Sequence, residues 1–248
     1  MLVVLTGRDG GYRLCEEIHN VTAFTVKGVC EVTVMQYVSE KNLGRLSLYR
    51  RLLNRLQAEG TRSIYSHELA RMAGGTAAQV RRDLMAVGSV GSPKRGYNVR
   101  ELIDRIGEFL DAPEGEGVAL VGAGNLGRAI MAYFSGRRPK LSIVAAFDTD
   151  PSKVNRVIHG CRSYPVEEME EVVRRDGLRV GIITVPAKEA QGVADMLVAA
   201  GVRGILNFAP TPLRVGPDVH VEDIDMTMSL EKVAFYARKH ALEREPAK

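Results

Sequence analysis

Hydrophobic positions along this chain change period near its middle. Between residues 42 and 111 they recur at helical spacing. Beyond residue 118 they gather into short apolar runs separated by further helical stretches. Leu43, Leu46, Leu52, Leu53 and Leu56 predict a helix over 42–59, with Arg45, Arg50, Arg51 and Arg55 on its polar side and Gly60 as its C-cap. Ser66 is placed to cap a short helix over 67–73. Gly74 and Gly75 make a turn, and Thr76 with Gln79 has the spacing of a capping box opening a third helix. There Val80 and Leu84 face inward, while Gln79, Arg81 and Arg82 face out. Two short helices joined by a Gly-containing turn form a helix-turn-helix, whose second helix enters a DNA major groove. Glutamine can pair with adenine and arginine with guanine, so these side chains suit that place. A small-residue loop over 88–96 carries Lys94 and Arg95 and is followed by a returning strand over 97–99. That is the form of a wing, which reaches phosphates or a minor groove. Leu102, Ile103, Ile106 and Leu110 line a further helix over 99–111, and a Pro/Gly/acid linker follows at 112–117.

Past the linker, strands over 118–122, 142–148, 179–185, 204–207 and 219–224 alternate with helices over 125–135, 166–175 and 187–200. This alternation predicts a parallel sheet covered by helices. The stretch around Cys161 reads as an ordinary connection. A last helix over 226–241, capped by Asp225, puts Leu230, Val233, Ala234 and Ala237 on one face with no groove of its own to fill. An exposed apolar helix points to a partner. At the other end, residues 21–34 alternate β-branched positions and read as a hairpin or edge strand.

Charge divides the chain the same way. Between Lys41 and Arg100 stand twelve Lys/Arg and three acids, a net +9; the whole chain carries +4, so the rest carries −5. A basic segment beside a mildly acidic one points to a polyanion partner for the first alone. No apolar run is long enough for a membrane helix, and the first residues do not form a secretory signal. Cys15, Cys30 and Cys161 are odd in number and scattered, and the five histidines show no ligand spacing. The expectation is therefore a cytoplasmic protein with no disulfide framework, no metal and no membrane.

The chemistry concentrates at Gly122, Ala123, Gly124, Asn125, Leu126 and Gly127, between the apolar run Val118 to Val121 and a helix. This is the G-x-G-x-x-G order of a dinucleotide fold. Gly122 makes the tight turn, Gly124 lets a pyrophosphate approach the backbone, and Gly127 lets the helix sit close to the strand. The helix N-terminus offers its N–H groups to the phosphates. Asp148 ends the second strand, about 20 residues past the helix start, where an adenosine ribose needs an acceptor. No cation follows before Lys153, which favours NAD(H) over a 2′-phosphorylated nucleotide. Val185 and Pro186 close a later strand at its carboxyl end, where ligands bind in such sheets. The plainer alternatives are a structural glycine turn and a solvated basic surface.

Seven segments in one order resemble the Rex family of bacterial redox-sensing transcriptional repressors: RLSLYRRLL, TAAQVRRDL, VGAGNLGRAI, AAFDTDP, IITVPAKEAQ, GVRGILNFAP and the helix opened by DIDM. The resemblance runs from about Ser39 to about His240. It implies an α/β plus winged-helix architecture: an N-terminal winged helix-turn-helix domain (39–112), a Rossmann-like doubly wound parallel sheet binding NADH or NAD⁺ (117–224), and a C-terminal domain-swapped helix (225–243) joining a homodimer on palindromic operator DNA. By position it implies operator contacts from Arg81 and Arg82 with Gln79 beside them, and from the wing residues Lys94 and Arg95. It places Thr184, Val185 and Pro186 near the nicotinamide. Tyr133, Arg51 and Asp225 match a network that differs between ligand states, and Arg51 also joins the DNA-facing set. Met226 stands at the swapped helix where some relatives carry an aromatic. Pro93 and Lys94 depart from the usual wing, and residues 1–38 have no counterpart, so translation is expected to start near Met35 or Val38. The expected function is a repressor, not an enzyme, that leaves its operator when NADH binds. The alternatives are a small NAD-dependent dehydrogenase, for which no acid–base group stands in a convincing place, and a CoA-type nucleotide binder.

Overall fold

A computed structural model describes residues 39–137 and 140–244, and the expectations for 1–38 lie outside the described residues. The chain divides into two compact units that part between Leu110 and Asp111.

The first unit runs α1 (Glu40–Ala58), β1 (Ser63–Ile64), α2 (Ser66–Ala73), α3 (Ala77–Ala86), β2 (Tyr97–Asn98) and α4 (Val99–Leu110). Leu46, Tyr49, Leu53, Leu69, Val80, Leu84, Leu102 and Ile106 form its core. Strand β2 returns antiparallel onto β1, Ile64 opposite Tyr97, and so ties down the base of the loop after α3. A bridge between Ser92 and Gly96 narrows that loop into a wing with Pro93 and Lys94 inside it. Gly96 sits at φ +67, and a Cβ there would stand 2.5 Å from the Ile64 carbonyl oxygen. Only glycine allows the wing to turn this close to β1.

Several local expectations change here. The polar side of α1 is not uniformly solvated: Arg50 is buried and Arg45 half-buried, while Leu43 is exposed. The helix packs against α4, α2 and α3, so its buried face is wider than one leucine stripe. Ser66 is the first residue of α2 rather than its cap. Tyr65 takes the cap position, and its N–H donates to the Glu68 carboxylate at 2.8 Å. Thr76 Oγ1 accepts from the Gln79 N–H at 3.2 Å, but the Gln79 side chain turns to Asp83, so the reciprocal half of the capping box is not made. Asn98 Oδ1 accepts from the Glu101 N–H at 3.0 Å; the returning strand therefore ends at Asn98, and Val99 opens α4.

The second unit runs β3 (Glu116–Val121), α5 (Asn125–Phe134), β4 (Leu141–Asp148), β5 (Arg156–Ile158), β6 (Cys161–Pro165), a 3₁₀ turn (Val166–Glu168), α6 (Met169–Arg175), β7 (Val180–Ile183), α7 (Ala187–Ala200), β8 (Gly204–Asn207), β9 (His220–Asp223) and α8 (Met226–Arg244). The sheet order is β5-β6-β4-β3-β7-β8-β9, parallel except for β5, which pairs antiparallel with β6. The sequence reading missed this hairpin. Strand β5 has only three residues, and an inward position of β6 is the polar Ser163, so neither shows an apolar period. The turn between them is His159-Gly160, both at positive φ, and Gly160 is the one signal the sequence offered. The central strand shows the period of two: Val118 and Leu120 pack toward Ile130 and Met131 of α5, while Ala119 and Val121 pack toward α6 and α7. Helices thus cover both faces. The chain order reverses between β3 and β7, which places the switch point of the doubly wound sheet there.

Candidate functional site

At that switch point the loops after β3 and β7 flank a cleft of about 570 Å³. Its lining includes Gly122, Gly124, Asn125, Leu126, Asp148, Lys153, Thr184, Val185, Pro186, Phe208 and Pro210. The first loop is fixed by close backbone approach. Gly122 takes φ +101, and a Cβ there would lie 2.9 Å from the Thr184 carbonyl. A Cβ on Gly127 would lie 2.0 Å from the Gly122 carbonyl oxygen. Thr184 Oγ1 donates to the Val121 and Gly122 carbonyls at 3.0 and 2.8 Å, clamping the two loops together. Gly124 is different: no atom lies within 4 Å of where its Cβ would be. That opening, at the N-terminus of α5, is the shape a pyrophosphate needs.

Asp148 is only 9% exposed. Its Oδ2 accepts from the Ala123 N–H at 2.7 Å and its Oδ1 from the Asp150 N–H at 2.9 Å. Lys153, which sequence spacing set aside, folds back to 3.5 Å from Asp148 and 3.3 Å from Asp150. Its partial desolvation works against the charge, but Asp150 and Asp148 outweigh it and hold the ammonium above its ordinary range. On the far side of the switch point, Asn207 is fully buried. Its Nδ2 donates to the Thr211 carbonyl (2.8 Å) and to Asp223 (2.7 Å), and its Oδ1 accepts from the Ala209 N–H (3.0 Å). It thereby fixes the loop that brings Phe208 and Pro210 to the cleft. The sequence reading named neither of these two; the signal was an asparagine ending an apolar strand. The cleft therefore has a charged side, at β4, and a side at β7 and β8 formed by Val185, Pro186, Val193, Phe208 and Pro210. The polar members of that second side are Thr184 and the exposed Glu189, which pairs with Lys188 at 3.7 Å.

The remaining candidates fall elsewhere. Ala123 and Gly127 are buried behind the loop rather than in its lining. Tyr133 is exposed on α5 under the Arg137 guanidinium, 4.4 Å from the ring centroid, and does not line the cleft. Asp225 caps α8 by accepting from the Met228 N–H at 2.8 Å. Met226, Met228, Leu230, Val233, Phe235 and Tyr236 of that helix are all exposed. Cys161 is buried, which pushes its thiol up to about 11, and His159 and Cys161 line a separate hollow without the cleft residues.

In the first unit, Arg81 and Arg82 are exposed on α3 and Arg51 on α1. Lys94 and Arg95 are exposed on the wing, where the Tyr65 hydroxyl donates to the Lys94 carbonyl at 3.0 Å. They share a hollow with Arg62, a third cation not singled out by the sequence pattern.

Two family models match the chain, "CoA binding domain" over residues 114–211 and "Putative DNA-binding protein N-terminus" over residues 37–84. The redox-sensing transcriptional repressor Rex of Carboxydothermus hydrogenoformans is 43% identical over 82% of this chain and 97% of its own length. The chain belongs to the Rex family. Rex of Desulforamulus reducens is 39% identical over 80% of this chain and 94% of its own. A solved structure of RSP, a Rex-family repressor, superposes with a TM-score of 0.76 at 33% identity, covering 84% of this chain and 99% of RSP. RSP has also been solved with NADH (TM-score 0.75) and with NAD⁺ and operator DNA (TM-score 0.77). Rex proteins are transcriptional repressors, so this chain falls in a class of regulators rather than enzymes.

Proposed function

We propose that this chain is a homodimeric repressor that binds a palindromic operator and leaves it when NADH occupies the cleft of the second unit. One observation carries the reading: a single chain joins a basic helix-turn-helix and wing to a switch-point cleft that is open at Gly124 and bordered by Asp148. Its domains are then 39–112 for DNA, 117–224 for the nucleotide and 225–243 for dimerisation. Arg81, Arg82, Lys94, Arg95 and Arg51 meet the operator, with Gln79 beside them. Asp148 accepts the ribose hydroxyls, and Gly124 with the first N–H groups of α5 receives the pyrophosphate. Val185 and Pro186 flank the nicotinamide, and Tyr133 acts with Arg51 and Asp225 in the change between ligand states. The exposed apolar residues of α8 are covered by the second subunit.

The bound nucleotide supplies the signal through a ring that is positively charged when oxidised and neutral when reduced. The apolar residues on the β7 and β8 side of the cleft favour the neutral ring, because an unpaired charge is costly to bury. A hundredfold preference provides about 2.7 kcal/mol of bias between two dimer states. DNA and NADH must then weaken each other's binding by the same factor. The test is titration of operator binding against NADH and NAD⁺ separately. NADH is expected to release the duplex and NAD⁺ to leave it bound; a dimer that holds its operator equally in both overturns the proposal. The fluorescence of bound NADH separates this reading from a CoA-type site, the alternative that the "CoA binding domain" match favours.

A further inference from the structure

We infer that Gln79 does not read a base but positions Arg82, through a chain Arg45–Asp83–Gln79–Arg82, and that Arg82 reads a guanine. This rests on the reading of α3 as the operator-facing helix. The anchor is Asp83, 2% exposed inside the first unit. Its carboxylate accepts from Arg45 Nε at 2.7 Å, a terminal Arg45 nitrogen at 2.9 Å, the Tyr49 hydroxyl at 3.0 Å and Gln79 Nε2 at 2.9 Å. Four donors meet the roughly four acceptor sites of a carboxylate, so the group is saturated.

That saturation orients the glutamine amide. Nε2 points inward to a buried charged acceptor, and Oε1 is left outward, where a terminal Arg82 nitrogen donates to it at 3.3 Å. Reading adenine takes both ends of the amide at once, the oxygen to N6 and the nitrogen to N7. To do that, Gln79 would have to abandon Asp83 and leave a buried carboxylate one donor short. Arg82 carries five donors and gives one to Gln79, which leaves a fork for guanine O6 and N7. Arg81 is turned away to Ser66 Oγ on α2, at 3.2 Å, a place suited to a phosphate. Of the three polar candidates on α3, Arg82 is thus the one braced from behind and still able to present a bidentate edge.

The test uses the full-length dimer with NAD⁺ and a set of duplexes carrying every single base-pair change in the half-site that the wild-type protein selects. Arg82→Ala is expected to lose discrimination at one G·C pair by roughly ten- to a hundredfold. Gln79→Met should lose discrimination at the same pair and at no A·T pair, with an unchanged salt slope, because no phosphate contact is removed. The double variant should discriminate there no worse than Arg82→Ala alone. Asp83→Asn, which keeps the shape but offers Gln79 a donor, should reproduce the Gln79→Met pattern at reduced size. A Gln79→Met protein that relaxes an A·T pair and keeps the G·C preference overturns the inference, as does strict additivity of the two changes. A wild-type protein that selects no sequence at all defeats the operator reading itself, which is a different outcome.

Discussion

Asp83 in the first unit and Asp148 in the second are the two buried carboxylates among the described residues, and the protein satisfies them in different currencies of structure. Asp83 is held by side chains from α1 and α3, residues up to 38 positions away. Asp148 is held by the backbone N–H groups of Ala123 and Asp150, with Lys153 alongside. A carboxylate closed by four side-chain donors locks two helices and has nothing left for a ligand. One held from behind by two loop amides keeps acceptor capacity toward a cleft. The first unit is therefore built around side-chain geometry and the second around backbone approach. A substitution should hurt each unit in proportion to which of the two it disturbs.

The largest expected effect is at a glycine of the second unit. Gly127→Ala would drive a Cβ to 2.0 Å from the Gly122 carbonyl oxygen, backbone against which nothing can rotate away. Overpacking a core costs about 1–3 kcal/mol when side chains can adjust; here they cannot, so a loss of at least about 3 kcal/mol is expected in denaturant melts. Gly124→Ala meets no atom within 4 Å, so it should melt normally and fail instead in NADH titrations. If both variants melt alike, backbone approach does not shape the loop and the contrast between the units is lost.

Next in size is the pair of carboxylates. Asp83→Ala removes the partner of a buried ion pair, for which about 3–5 kcal/mol is usual. Arg45 keeps 28% side-chain exposure and can turn to water, so the low end, about 3 kcal/mol, is expected. Asp148→Ala leaves the buried Ala123 N–H without its acceptor and should cost about 1–3 kcal/mol in stability while removing most NADH affinity. The two acids should also differ in acid. Burial works against the charged form of Asp83, but the hydrogen bonds from Arg45, Gln79 and Tyr49 outweigh it and hold its carboxyl below the ordinary value. A lowered folded value means a stabilisation present above the unfolded pKa of about 3.9 and lost as pH falls through the folded one. Melting between about pH 3 and 7 should therefore fall more steeply below pH 4 in the wild type than in Asp83→Asn.

That contrast also decides what could be read from the chain. The glycine loop, Asp148 and the strand–helix alternation were legible because backbone-built features are coded by neighbours: a glycine at each tight approach, an acid at a strand end. Helix α3 with its outward Arg81 and Arg82 was legible for the same reason. The Asp83 cluster was not. Arg45 and Arg50 look like a solvated face on a helical wheel, and only the packing of α3 and α4 on α1 turns them inward. Lys153 was discounted by its distance in sequence from Asp148, although a turn returns it to the site. The β5–β6 hairpin is not legible because β5 has three residues and β6 buries the polar Ser163, so its inward positions show no apolar period.

The smallest expected effect tests whether Asp148 is as open as the comparison holds. With Lys153 in place, the β4 side of the cleft carries Asp148, Asp150 and one ammonium, a net −1; without it the net is −2. A 2′-phosphate, at about −1.5 to −2, is repelled more in the second case. Lys153 is 35% exposed and its pairs are screened, so the change is worth at most about 1 kcal/mol. Lys153→Ala should raise the ratio of NADPH to NADH dissociation constants by about two- to fivefold at low salt, and by less near 0.5 M salt, as roughly expected from screening. Fluorescence titration with both nucleotides measures it. An unchanged ratio at both salt levels would mean that no ligand charge comes near Asp148, and that this carboxylate is as closed to ligands as Asp83.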